Sequence, residues 1–179
     1  MNQRSGLPDH LFQYISSITP LINVDVLLVD PCMRFLLTWR DDGIYGPGWH
    51  VPGGIIRFKE SISDRILKVC ISEAGSDSYQ SLRLVQINQI MNPQRDYRGH
   101  FISLIFTAHL SAESLDSIPS AAPGAELTNG ARKWFCDPPH NIIAQHRRYL
   151  PIMSDIGGFS VPLWGNLMDE YSEFHETSF

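Results

Sequence analysis

The chain has 179 residues, 43% of them hydrophobic, and a net charge of -5. That length sets an expectation of one domain, and the apolar share suffices for a substantial core. The acidic balance argues against a nucleic-acid partner, whose phosphates need a basic face, and the longest apolar stretch, residues 101–110, is far too short to span a membrane as a helix.

The opening residues, MNQRSGLPDHLFQ, lack the apolar core of a signal peptide. Cys32, Cys70 and Cys136 lie far apart with no C-x-x-C pair, which predicts buried free thiols in a reducing, cytoplasmic setting and no zinc site. Pro8-Asp9 opens a predicted helix to about Ser17. Residues 24–29 and 35–39 read as strands, joined into a hairpin by a turn at Asp30-Pro31. The loop 41–48 is expected to flank a substrate entrance. Ser61 and Asp64 form a pair resembling a capping box and start a second helix. Strands follow near 82–90 and 101–110. Residues 111–130 are rich in Ser, Ala and Pro without periodicity and predict a long loop. A last strand is expected over 132–136. Pro138-Pro139 then introduces a predicted helix through Leu150, with Ile142, Ile143, His146, Tyr149 and Leu150 on one face. The tail from Gly157 holds Phe159, Trp164, Leu167, Met168, Tyr171 and Phe174. A disordered tail is normally poorer in aromatics, so this one is expected to pack on the domain or on a second subunit.

The most informative segment is 48–75, GWHVPGGIIRFKESISDRILKVCISEAG, a Gly-rich turn followed by a short helix. Neither Gly53 nor Gly54 has a Cβ, so the backbone there can approach a ligand closely. At 100° per residue, Ile62, Ile66 and Val69 fall in a narrow arc with Glu73 between them. Burying an ionised carboxylate is costly unless something positive satisfies it. Glu73 is therefore expected to meet an Arg, a Lys or a metal ion, the alternative being a surface Glu on a frayed last turn.

The spacing of this segment resembles the Nudix box, G-x5-E-x7-R-E-U-x-E-E-x-G-U, where U is aliphatic. Gly54, Glu60, Glu73 and Gly75 match, and Lys68 stands in for the Arg. Val69 and Ser72 occupy two positions that carry metal-binding glutamates in the family, and Ser76 replaces the last aliphatic. The GDP-mannose mannosyl hydrolase branch also lacks those two acids. In that branch water attacks C1 of the sugar, and a single ion stabilises the departing diphosphate. The resemblance continues upstream through Thr19-Pro20-Leu21, Val24-Asp25-Val26, Phe35-Leu36-Leu37 and Arg40, and more loosely over 100–150.

The resemblance implies an α/β/α sandwich with a mixed central sheet, one domain over 1–179 with an N-terminal helix in 1–18 and a tail at 157–179, and a homodimer. It implies Mg²⁺, with Mn²⁺ as a substitute, held by Glu73 and the Gly53 carbonyl. Arg40 would serve the leaving diphosphate and Asp25 would orient substrate, with Phe101 at a sugar-pocket position. The branch's Gln-His pair falls on Thr128 and Asn129, and asparagine cannot act as a base at neutral pH. Glu126 in the same loop is the substitute candidate, although an exposed loop acid is its ordinary state. His50 and His100 are weaker candidates. Arg40, Arg57 and Lys68 could supply a local basic pocket. The expected ligand is a nucleoside diphosphate sugar or related small molecule. A phosphoanhydride hydrolase, with Glu60 and loop acids replacing the missing ligands, and a catalytically silent nucleotide-binding module are the rival expectations.

Overall fold

The computed structural model describes residues 7–43, 46–110, 118, 120–122 and 124–156. The aromatic tail from Gly157, most of the stretch 111–119, and Ile44 and Tyr45 of the loop 41–48 lie outside the described residues.

Helix α1 (Asp9–Ile18) leads into β1 (Leu21–Val29), a nine-residue run buried at seven positions. Alternate residues of β1 face opposite ways, as pleating requires. Val24, Val26 and Leu28 pack on one side with Leu36 and with Ile66, Val69, Cys70 and Ala74 of the second helical segment. Leu27 and Val29 pack on the other with Phe35, Leu37, Tyr149, Ile152 and Met153. Two apolar layers therefore sandwich the sheet.

The strands β2 (Phe35–Arg40), β3 (Gly48–His50), β4 (Gly53–Ile55), β5 (Gln80–Met91), β6 (His100–His109) and β7 (Arg132–Phe135) complete a seven-stranded sheet. Its main path runs β3-β2-β1-β6-β5, with β7 paired to β2 and β4 to β1. β1 and β6 run parallel over nine residue pairs, and the other pairings are antiparallel, so the sheet is mixed. The expected hairpin is present as the β1–β2 pair, with Asp30 accepting from the Arg34 amide at 2.8 Å and from its Nε at 2.7 Å.

One edge of β1 is shared between two partners. Val29 pairs with Phe35 of β2, whereas residues 23–25 pair with β4. Because β4 and β2 divide that edge, the sheet splits beside Asp25, and the split opens the cavity described below.

Helix α2 (Ile62–Val69) starts where expected: Ser61 Oγ accepts from the Asp64 amide at 3.0 Å, satisfying one of the donors left over in a first turn. Its seam departs from the expected arc. Ile62 is 43% exposed, and after Val69 the chain widens into a π-helical turn, Cys70–Ala74, that Gly75 closes at φ 77°. A π turn carries more residues per revolution than the 3.6 assumed, so Glu73 is rotated off the apolar seam and stands half-buried at its edge.

Two other expectations are corrected. The helix after Pro138-Pro139 begins only at Ala144, as a 3₁₀ segment to Tyr149 followed by α3 (Leu150–Ser154). The backbone before it is engaged by β3: Trp49 donates to Asn141, and Ile143 donates back to Trp49, both at 2.9 Å. Residues 141–143 thus cannot coil into a helix. The inward positions hold without the helix: Ile142, Ile143, His146 and Tyr149 are buried, and Leu150 is half-buried against the same core. All three cysteines are free, but Cys32 and Cys136 are exposed and only Cys70 is buried.

Candidate active site

The split in the sheet opens a cavity of about 220 Å³. Asn23 and Asp25 come to it from β1, Arg40 from β2, His50 from β3, Gly53 to Ile55 from β4 and Glu73 from the π turn. Arg98, Phe101 and His146 also line it.

Asp25 is 3% exposed and its carboxyl is pushed above the ordinary value by burial. Donors on Oδ2 work against that rise: the Ser103 hydroxyl, the Tyr149 hydroxyl at 2.7 Å and the Asn23 amide at 3.0 Å. Its other oxygen lies against Gly53, where a Cβ would overlap Oδ1. That contact explains the first glycine of the pair: β4 can approach Asp25 only without a side chain.

Glu73 is likewise raised by burial, its hydrogen-bond partner being the neutral Thr38 hydroxyl at 3.2 Å, with the charges of Arg40 and Arg132 acting in the opposite sense. The expected cation is therefore felt through space, and the direct partner is a hydroxyl. Thr38 also faces His50. The His50 Nδ1 bonds the Thr38 carbonyl at 2.8 Å, which can only accept, so the ring hydrogen is on Nδ1 and Nε2 is an acceptor 3.1 Å from Thr38 Oγ1. One hydroxyl hydrogen thus confronts two acceptors, His50 Nε2 and Glu73 Oε2. One of the two is left needing a donor or a cation.

His50 and His146 stand with ring centroids 6.0 Å apart. Burial brings each to about 3, assisted for His50 by His146 and Arg40 and for His146 by Arg40 and Arg148. Both are neutral at pH 7. His146 Nδ1 accepts from the Val51 amide at 2.9 Å, which leaves its hydrogen on Nε2. Arg40 Nε donates to Asp42 at 2.7 Å, which orients the guanidinium.

Of the residues singled out in the sequence, Asp25, Arg40, Gly53, Glu73, Phe101 and His50 are brought together here. Glu60 is not. Its oxygens are taken by Arg65 at 2.6 Å, by Lys68 at 2.7 Å and by the Arg57 amide at 2.8 Å. Lys68 is occupied by that same pair. Glu126 and Asn129 are exposed and outside the cavity, and Asn129 Oδ1 accepts from the Asp41 amide at 3.1 Å. His100 is bonded to Gln89 at 2.9 Å. Sequence reasoning missed Asn23, Thr38 and Arg98. It placed His146 on a buried face without assigning it to a site, although a histidine among apolar neighbours was the available signal.

The resemblance of residues 54–76 to the Nudix box implies a divalent ion, and the side chains present decide which kind of centre fits. Val69 is 2% exposed within the core, Ser72 turns its hydroxyl to the Val69 carbonyl, and Glu60 is clamped by cations. Among the described residues there is no group of three or more His, Cys, Asp or Glu able to hold a metal. A multi-ion centre does not fit. A single Mg²⁺ does, because it commonly takes one or two carboxylates and fills its sphere with substrate phosphates and water. Glu73, facing the cavity with one contested hydroxyl as its donor, is such a carboxylate.

No protein-family model matches the chain, and no curated protein matches it. Solved structures do. The MutT protein from Methanosarcina mazei Go1 superposes with a TM-score of 0.55 at 15% identity, over 79% of this chain and 99% of that one. The MutT NUDIX hydrolase from Burkholderia pseudomallei gives a TM-score of 0.52 at 16% identity, over 75% and 95%. At such identities the likeness speaks for architecture, and the mixed sheet between two helical layers agrees with it: the chain has the Nudix fold.

Proposed function

We propose that this protein hydrolyses nucleoside diphosphate derivatives, and specifically an NDP-sugar at its glycosidic carbon. The observation that carries the reading is the convergence of Asp25, Arg40, Gly53 and Glu73 on one cavity in whose described lining Asp25 and Glu73 are the only acids. Cleavage at phosphorus calls for several acids to gather metal ions around the reacting centre, and the positions that would supply them hold Val69 and Ser72. Attack at a sugar carbon asks less, namely stabilisation of a departing diphosphate. Mg²⁺ or Mn²⁺ held by Glu73, when bound, would offset the charge of that diphosphate. Arg40 binds its oxygens from the cavity wall. Asp25 Oδ1, whose partner oxygen is saturated by three donors, accepts from a substrate hydroxyl and fixes the sugar's orientation. Phe101 supplies an apolar face for the ring. His50 and His146, neutral at pH 7, line the floor without adding charge.

Incubation with a panel of GDP-, UDP- and ADP-sugars and Mg²⁺ in ¹⁸O-water tests this directly. A nucleoside diphosphate with ¹⁸O on the released sugar supports attack at C1, and label on phosphate contradicts it. Glu73→Gln should abolish turnover, and full activity in that variant would remove Glu73 from the metal assignment. A second reading, a binding module without turnover, is favoured by the placement of Glu126 and Asn129 outside the cavity, because neither loop residue can then activate water there. It predicts saturable nucleotide binding, no product, and binding that survives removal of Mg²⁺.

A further inference from the structure

His146 enters the cavity on the 3₁₀ segment 144–149 and is 8% exposed. Its Nδ1 accepts from the Val51 amide at 2.9 Å, which fixes the ring's orientation and leaves its hydrogen on Nε2. That Nε2–H has no hydrogen-bond partner among the described residues. Nor is it among the polar atoms that are both sealed from solvent and unpartnered. The donor therefore opens on the cavity that the residue lines, and it is available to whatever fills that space.

Two neighbours point to the ligand atom it meets. The imidazole lies against Tyr149, with ring centroids 4.9 Å apart, and the Tyr149 hydroxyl donates to Asp25, the acid placed above at the sugar. Burial first, and then the charge of Arg40, the residue placed above at the diphosphate, hold the same imidazole neutral. His146 is thus tied to the groups at both ends of the bond to be broken. A neutral imidazole gives a hydrogen bond at pH 7 without giving up its hydrogen.

We propose that His146 Nε2–H donates to the oxygen that links the sugar to the diphosphate, a contact that strengthens as negative charge gathers on that oxygen. This rests on the NDP-sugar reading above. The C1–O bond breaks and its electron pair stays on the departing oxygen, while water forms the new bond at C1 and loses a proton to solvent. His146 keeps its hydrogen throughout. A preorganised donor aimed at developing charge favours the transition state over the ground state.

The full chain, labelled with ¹⁵N-histidine and titrated with UDP, GDP and ADP in the presence of Mg²⁺, reads the contact by NMR, with calorimetry reporting whether each nucleotide binds. In these diphosphates the former linking oxygen is a charged terminal oxygen, so the His146 Hε2 resonance should move downfield on saturation with a nucleotide that binds. Binding that leaves the resonance unmoved, or a hydrogen found on Nδ1, overturns the contact and leaves the nucleotide reading standing. Failure of all three to bind overturns both. Kinetics with the NDP-sugar that the protein cleaves separates this role from packing. His146→Gln still offers an oxygen to Val51 and an N–H to the cavity, whereas His146→Leu offers neither. In His146→Leu kcat should fall about 100-fold with KM little changed, as for loss of a donor to a developing oxyanion, and His146→Gln should recover much of it. A loss confined to KM, or equal kcat in the two variants, overturns the proposal.

Discussion

The two neutral histidines make stability fall on acidification, and His146 provides the test. It is 8% exposed, and burial brings it from the ordinary 6.5 to about 3. Between those values the unfolded chain takes up a proton that the folded chain refuses. The unfolded state binding more protons means that stability rises with pH across the window and is lost as pH falls through it. From pH 7 to pH 5 the loss assigned to this one imidazole is about 2 kcal/mol. The comparison is urea unfolding at pH 7, 6 and 5 for the wild type and His146→Gln, in which the amide oxygen can still accept from Val51 while nothing titrates. Asp25 and Glu73, raised by burial, act in the opposite direction, since the fold then holds protons that the unfolded chain releases. They are common to both proteins and cancel in the difference. The wild type should lose about 2 kcal/mol more than the variant on going to pH 5. Parallel stability curves would show that His146 is protonated in the fold and refute the reasoning.

Tyr149→Phe removes a fully buried hydroxyl that donates to Asp25 at 2.7 Å and meets Ser103 at 3.1 Å. A hydrogen bond to a charged group is worth about 1.5–3 kcal/mol, so the thermal midpoint should drop by several degrees, and an unchanged midpoint would contradict the network. Glu60→Gln breaks two ion pairs on a side chain only 6% exposed and should cost about 1–3 kcal/mol in a denaturant titration. Burial works upward on Glu60, and its bonds to Lys68, the Arg57 amide and Arg65 overcome it, bringing the carboxyl from 4.5 to about 2. Its stabilisation is thus present above pH 4.5 and fades as pH falls toward 2, so wild type and variant should converge in acid.

Much of the scaffold was legible because it is written in local patterns. The β1 and β2 runs are continuous apolar segments around a Pro-containing turn, and Ser61 caps α2 through its own neighbour three residues on. Where prediction failed, a distant element had intervened. Residues 141–143 have the composition of a helix start, but their backbone groups are taken by Trp49, some ninety residues earlier in the chain, and no window of sequence contains both. Glu73 was found as an acid out of place, yet its geometry was misjudged because the π turn changes the angular step after Val69.

The site divides in the same way. Gly54, Glu60, Glu73 and Gly75 match the box by spacing, since a Gly turn and the helix that follows it are both local devices. Sequence therefore determined the main strand segments and the start of α2, and its resemblance to a known box pointed to the fold class. Only the tertiary structure decided which polar groups share the cavity. Asp25 meets Ser103 and Tyr149 across 78 and 124 residues of chain, and Glu60, matching the box by spacing, turns away to Arg65 and Lys68. The physical reason is that an ionisable group's role depends on its solvation and its neighbours' charge, and both are set by long-range packing that spacing along the chain does not encode.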